Sequence, residues 1–128
     1  MTKPRVLQCE IFPISLLLVT TEKEYSKLID KETCPYDFPT WGTASTISFT
    51  GEHTGAVVLV SVGDTSDLED EEVESILTHE AVHVKQFLFE SIGEKTPGIE
   101  TEAYTVQYFT DYLIREWHYR QSKKGKKK

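Results

Sequence analysis

Apolar residues recur along this chain with two different periods, and together they predict an α+β fold. Short apolar or alternating runs bounded by turn residues are typical of β-strands, whereas apolar residues three and four apart are typical of helices. A predicted loop over 33–43 holds three aromatic residues, which are expected to pin it onto the body of the domain. In chain order the predicted elements are a strand over 14–20, a helix over 21–31, a loop over 33–43, a hairpin of strands 44–50 and 56–62, a helix over 67–91 and a last helix over about 99–120.

The helix over 67–91 has the longest pattern, and no Pro or Gly interrupts it. Its spacing places one apolar stripe along about six helical turns. Ser66 or Asp67 is expected to cap the start, with Glu69 or Asp70 as the capping-box partner. The stripe consists of Val73, Ile76, Leu77, Ala81, Val84, Phe87 and Leu88.

The length of 128 residues suits a single domain with a core of its own. We expect that domain to span residues 1–121, with a small sheet of about three or four strands. The remaining segment, 122–128, carries five lysines and is expected to be a disordered basic tail.

The formal charge of −7 is unevenly distributed between the body of the chain and its tail. Without the five tail lysines the chain has nine basic and 21 acidic residues, a formal charge of −12. An acidic body disfavours nucleic acid as a partner. No apolar run approaches the length of a transmembrane helix, and no membrane partner is expected.

The cysteine content indicates the compartment. Cys9 and Cys34 do not form the pattern of a disulfide framework, and a reducing compartment is expected. The N-terminal residues have no convincing signal-peptide cleavage site. These observations predict a cytoplasmic protein.

Within the helix over 67–91 stand His79-Glu80-Ala81-Val82-His83, which read H-E-x-x-H. Because positions i and i+4 lie on one helix face, about 6 Å apart along the axis, two imidazoles there can bind one Zn²⁺. Glu80 follows the first histidine, where it can take a proton from water that the metal activates. The motif predicts metal ligands His79 and His83, with Glu80 as the general base.

A catalytic zinc normally has three protein ligands, so two histidines are not enough. The last predicted helix opens with Glu100-Thr101-Glu102-Ala103, shortly after the motif helix ends. A short turn makes the two helices neighbours, plausibly antiparallel, which brings the start of the second within reach of His83. Either Glu100 or Glu102 is expected to be the third ligand, and helical position does not separate them.

These motifs together resemble the gluzincin branch of the zincin metallopeptidases, and within it the very small zincin-like proteins of bacteria and their phages. The resemblance covers roughly residues 56–115 and implies a minimal zincin-like fold with an active-site helix and a C-terminal helix. It is carried by His79-Glu80-Ala81-Val82-His83-Val84-Lys85-Gln86, which is highly specific, and by Glu100-Thr101-Glu102-Ala103-Tyr104, which is not.

Two gluzincin patterns bear on the third ligand. The pattern E-x-x-A-D maps to Glu100 with Ala103 matched, whereas N-E-A-x-x-D maps to Glu102, and we favour Glu100 slightly. Both patterns have an Asp four residues after the ligand, where it supports a histidine. This chain has Tyr104 and Val106 at those places.

The resemblance implies zinc-dependent hydrolysis of a peptide or protein substrate, with Glu80 as general base. It also implies that the strand ahead of the motif helix borders the cleft, so the 56–62 strand is expected to pair with extended substrate. Tyr104 or Tyr108 is a candidate donor to the oxyanion that forms in the transition state.

Two other functions are compatible with the same residues. The small size leaves few residues for substrate subsites, and the family's Asp is absent. Both observations favour a zincin-fold metal-binding structural or protein-interaction module with little or no catalysis. The third interpretation is an inhibitor or interaction module that binds no metal. The intact Glu80 favours an enzyme.

Overall fold

The computed structural model describes residues 5–8, 12–30, 32, 34–51 and 55–126, so Cys9 lies outside the described part. Four strands and three helices are formed in these ranges. The elements are β1 (Leu7–Gln8), β2 (Ile14–Val19), α1 (Glu22–Leu28), β3 (Ala44–Gly51), β4 (Gly55–Val62), α2 (Asp70–Ser91) and α3 (Ile99–Lys126).

The four strands form one mixed sheet in the order β1-β2-β4-β3. The central strands β2 and β4 are parallel, with Leu17 opposite Leu59. The outer strands β1 and β3 are antiparallel to their neighbours, and Ile47 of β3 lies opposite Leu59. The α+β class and the small sheet are therefore confirmed.

Both faces of the sheet are covered, which explains why β2 and β4 read as continuous apolar runs. Alternate side chains point to opposite faces because the strand period is two. One face packs against α2 and α3, and its sheet residues include Leu16, Leu18, Val58, Val60 and Val62. The other face packs against α1 and the loop after it, and its sheet residues are Leu17, Val19, Val57 and Leu59.

Helices α2 and α3 are antiparallel, as predicted. Lys85 Nζ lies 3.0 Å from Glu102 Oε2 near the end of α2, and His118 Nε2 lies 2.7 Å from Glu74 Oε2 near its beginning. Their buried side chains close the core from one side of the sheet. None of the helices in the described ranges is long and apolar enough to cross a membrane.

The helix boundaries differ from prediction at three places. Helix α1 ends at Leu28 rather than at 31. The motif helix begins at Asp70 rather than at 67, because the capping box is made by Glu69 and Glu72, whose Oε1 accepts the Glu69 N–H at 3.0 Å. Helix α3 continues to Lys126, through residues assigned to the basic tail.

The loop over 34–43 is only partly pinned by its aromatic residues. Phe38 packs edge-on against Tyr25 of α1, with ring centroids 5.7 Å apart, and the Tyr25 hydroxyl donates to the Tyr36 carbonyl at 2.6 Å. The side chains of Tyr36 and Trp41 remain exposed. The loop is fixed through α1, while two of its three aromatic side chains face solvent.

Candidate active site

His79 and His83 lie on one face of α2, as their spacing predicts. Their ring centroids are 5.0 Å apart, and the ring planes are inclined at 72°. His79 is exposed and His83 is half-buried. Two imidazoles at this separation suit a shared metal ion, because each zinc–nitrogen bond is about 2.0–2.1 Å long.

Glu80 lies beside the histidines but points into the fold. Its side chain is buried, and Oε1 accepts a hydrogen bond of 2.7 Å from the Thr46 hydroxyl of β3. A buried carboxylate needs such a donor, because it has lost most of its hydration. The general base of the prediction is therefore held in one orientation by a side chain from the neighbouring strand.

His83 is also oriented by a neighbour. Its Nδ1 lies 2.8 Å from Oε1 of Gln86, one helical turn further along α2. With Nδ1 donating to the amide oxygen, Nε2 carries the lone pair that a metal needs. The amide oxygen of Gln86 favours this tautomer of His83.

The two candidate third ligands are not grouped with the histidines. Glu102 pairs with Lys85, and Glu100 is exposed in the first turn of α3. Among the described residues, no three His, Cys, Asp or Glu side chains are grouped closely enough to hold a metal ion. The donor set therefore fits two of the three ligands of a catalytic zinc, His79 and His83.

The strand that borders the site is β3, not the 56–62 strand of the prediction. That strand, β4, lies between β2 and β3 and is hydrogen-bonded on both sides. An added strand needs unpaired backbone groups, so β4 cannot bind an extended peptide. Within the described sheet, β3 is the outer strand next to α2, and it pairs only with β4.

Two clefts open along β3, on either side of the Thr46–Glu80 hydrogen bond. The smaller, of about 340 Å³, is lined by Thr43, Ala44, Ser75, Ile76, His79 and Glu80. The larger, of about 550 Å³, is lined by Cys34, Tyr36, Asp37, Ser45, Thr46, Ile47, Ser48 and Phe87. An extended chain lying along β3 would therefore pass next to Glu80 and His79.

Tyr108 does not suit the role of oxyanion donor. Its ring packs against Phe12, which precedes β2, and it lines a cleft with Leu7 of β1. Since β1 and β3 are opposite edges of the sheet, Tyr108 lies away from His79. Nothing in the described contacts brings Tyr104, which is 65% exposed, to the histidines.

Sequence reasoning did not find Thr46 or Gln86. Thr46 occupies an ordinary strand position, and its role follows from the packing of β3 against α2, which the sequence does not show. Gln86 had a usable signal, because residues three apart on a helix are neighbours.

No family model, curated protein or solved structure matches this chain.

Proposed function

We propose that this chain is a zinc-dependent peptidase on a minimal zincin-like scaffold. His79 and His83 would bind Zn²⁺, and the third ligand would come from the first turn of α3, from Glu100 or Glu102. One observation carries the proposal: the histidine pair, the oriented carboxylate of Glu80 and the edge of β3 that has no partner strand in the described sheet adjoin one another. A mixed sheet whose last strand leads into the motif helix supports the scaffold.

The residues of the chain would act as follows. Zinc, when bound, supplies a Lewis acid that polarises the substrate carbonyl and lowers the pKa of water toward 7. The outer edge of β3 would hold the substrate backbone in an extended conformation. Glu80 would accept a proton from the attacking water and pass it to the leaving amine. Thr46 would keep the Glu80 carboxylate in position between these two transfers.

The test is the substitution Glu80→Gln, which keeps the size and hydrogen-bonding capacity of the side chain but removes its basicity. We expect peptide hydrolysis to fall by about 10²–10⁴-fold, the usual contribution of a general base, while zinc remains bound. Hydrolysis of a peptide library by wild type and variant, with zinc content measured on the same samples, gives both quantities. Activity retained in the variant would contradict the mechanism.

The second candidate is a metal-binding structural or protein-interaction module with little catalysis. It is favoured by the separation of Glu100 and Glu102 from the histidines, and by Tyr104 and Val106 at the places where gluzincins have Asp. Broad peptide-library cleavage separates the two functions. Zinc retained in both Glu100→Gln and Glu102→Gln, without cleavage of any library peptide, would favour the module.

A further inference from the structure

The histidine pair of α2 provides only part of a zinc coordination sphere. Structural zinc in proteins is almost always held by four ligands in a tetrahedral arrangement. The ring centroids of His79 and His83 are 5.0 Å apart, which suits one shared ion. Among the described residues, no third His, Cys, Asp or Glu side chain is grouped with them. Two positions around an ion bound there are therefore left for ligands from outside this pair.

Helix α3 lies on the far side of α2 from the histidines. It contacts α2 through the ion pairs of Glu102 with Lys85 and of His118 with Glu74. With about 100° of rotation per residue, Lys85 and Glu74 lie roughly 140–160° around α2 from the midpoint of the histidine pair. The two imidazoles therefore face away from α3.

The face of α2 that carries the histidines is open and has no basic side chain that would repel a metal ion. His79 is exposed, and so are Glu72, Gln86 and Glu90, which lie on the same face at helical spacing. The one lysine of α2 is Lys85, on the far side, and α2 contains no arginine. A second protein molecule can therefore approach this face.

The tautomer of His83 also suits a ligand set completed from outside. With Nδ1 donating to Oε1 of Gln86 at 2.8 Å, the lone pair is on Nε2. Nε2 is the ring nitrogen farther from the backbone, so an ion bound to it lies beyond the ring and away from the helix axis. Side chains of a second molecule can reach an ion in that position.

A second copy of this chain supplies the ligands that the pair lacks. A two-fold interface uses the same surface patch twice, so a two-fold axis through the ion brings the two imidazoles of the second copy to its other side. In a tetrahedron the planes through zinc and each pair of ligands are perpendicular, so the two α2 helices would cross steeply and touch mainly near the histidines. Such a contact is polar and far smaller than the roughly 1,200 Å² of a stable interface. Metal-free copies therefore have no reason to associate.

We propose that two copies of this chain share one Zn²⁺ through His79 and His83 of each copy when zinc is scarcer than protein. The inference rests on zinc binding by this pair, which the proposed function also requires, and it concerns the regulation of that site. Four imidazoles leave no position for water, so the shared form would be inactive. With one zinc per chain, each copy would bind its own ion with a third ligand from α3, and the dimer would separate.

The test is the mass of the full chain during a zinc titration. Protein stripped with a chelator and dialysed is titrated with Zn²⁺ alone and followed by sedimentation velocity, with bound zinc measured at each step. The metal-free protein should be a monomer of 14.7 kDa. The dimer should reach its maximum at one zinc per two chains and decline as zinc approaches one per chain. Non-specific aggregation would instead increase steadily with zinc.

Variants identify the ligands of the shared ion. His79→Ala and His83→Ala each leave one imidazole per chain, so the dimer at half loading should be lost. His79 is exposed, so His79→Ala tests the site even if His83→Ala fails to fold. Glu100→Gln combined with Glu102→Gln should dimerise like the wild type at half loading, because neither carboxylate is a ligand there. The matched control is His118→Ala, a histidine on α3 that pairs with Glu74 and should not affect the dimer.

The outcomes separate this inference from the peptidase function. A chain that binds zinc but stays monomeric at every ratio overturns the inference, and peptide hydrolysis would still stand. A dimer that persists without metal or in His79→Ala, or one that forms only at one zinc per chain, also overturns the shared site. A dimer at half loading in a chain that cleaves no peptide at full loading supports the inference, and the peptidase function then fails alone. A chain that binds no zinc at any ratio overturns both.

Discussion

Glu80 shows how one side chain is fixed by two parts of the fold. Its position on α2 follows from the H-E-x-x-H spacing, but its orientation follows from the Thr46 hydroxyl of β3 at 2.7 Å. With 5% of its surface exposed, the side chain has few water molecules to replace that hydrogen bond. The hydroxyl of Thr46 is thus expected to matter both for stability and for the position of the proposed general base.

Replacement of Thr46 by Val keeps the shape of the side chain and removes the donor. We expect the free energy of unfolding to fall by about 1–3 kcal/mol, because a buried carboxylate then lacks a partner. Urea denaturation measures this loss. Thr46→Ser is the matched variant, since it keeps the hydroxyl, and it should recover most of the stability. Equal stability of the Val and Ser variants would show that the hydrogen bond contributes nothing.

For single residues, the sequence predicted contacts between side chains that are close together in the chain. His79 and His83 share a helix face because helix geometry is local, and a four-residue spacing predicts it. The partners of Glu80 and Glu102 are not local. Thr46 is 34 residues from Glu80, and Lys85 is 17 residues from Glu102. Such pairs depend on how whole elements pack, which no short motif encodes.

At the scale of elements, the loop over 34–43 is attached to α1 through one tyrosine. The hydroxyl of Tyr25 donates to the Tyr36 carbonyl, and the Tyr25 ring contacts Phe38. Burial raises the pKa of the Tyr25 hydroxyl above its usual value of 10.0, and the neighbouring Cys34 and Asp37 raise it further. The loop that lines the larger cleft along β3 is therefore held by a protonated Tyr25.

This shift predicts a loss of stability in alkaline solution. Between pH 10 and the raised pKa of Tyr25, the unfolded chain releases the proton while the folded chain keeps it, so stability falls as pH rises. Below pH 10 the contribution is fully present. The difference in unfolding free energy between wild type and Tyr25→Phe should shrink above pH 10, as measured by urea denaturation at pH 8 and 11. Tyr104 is exposed, so Tyr104→Phe is the control, and its free energy of unfolding should change with pH as that of the wild type does. If the difference in unfolding free energy between the wild type and Tyr25→Phe is the same at pH 8 and 11, the hypothesis is wrong.

The elements themselves followed well from the pattern of apolar residues, but their arrangement did not. The 56–62 run is strongly apolar because β4 is central and covered on both faces. The same property excludes it from binding a substrate strand. The less apolar run over 44–50 is β3, the outer strand of the sheet that the described residues form, where it pairs with β4 alone. The resemblance assigned the substrate strand by its place ahead of the motif helix, whereas the order of strands in the sheet decides which strand lies at the edge.

At the scale of the whole molecule, an ion pair joins the two outer layers. Arg120 of α3 lies 2.8 Å from Glu24 of α1, with 6% and 4% of their side-chain surfaces exposed. Oε1 of Glu24 also accepts from the Thr21 hydroxyl at 3.2 Å. Helix α3 lies on one face of the sheet and α1 on the other. The ion pair between Arg120 and Glu24 therefore passes the end of the sheet and connects the two helices.

Removal of one partner should be costly because the other charge stays buried. We expect Arg120→Met to lower the free energy of unfolding by about 3–5 kcal/mol, the usual effect of breaking a buried pair. Glu24→Gln combined with Arg120→Met should cost less than the two single changes added together. Urea denaturation of the four proteins measures this coupling. If the losses of unfolding free energy in the two single variants add up to the loss in the double variant, the ion pair does not stabilise the contact between the layers.

We propose that His79 and His83 bind a catalytic metal, and the zinc content of the purified protein decides whether they do. The purified, dialysed protein is compared with the double variant His79→Ala/His83→Ala, and with His118→Ala, a histidine outside the site that pairs with Glu74. The account predicts about one zinc per chain in the wild type and in His118→Ala, and none in the double variant. No zinc in the wild type, even after reconstitution, or equal zinc in all three proteins, would contradict it.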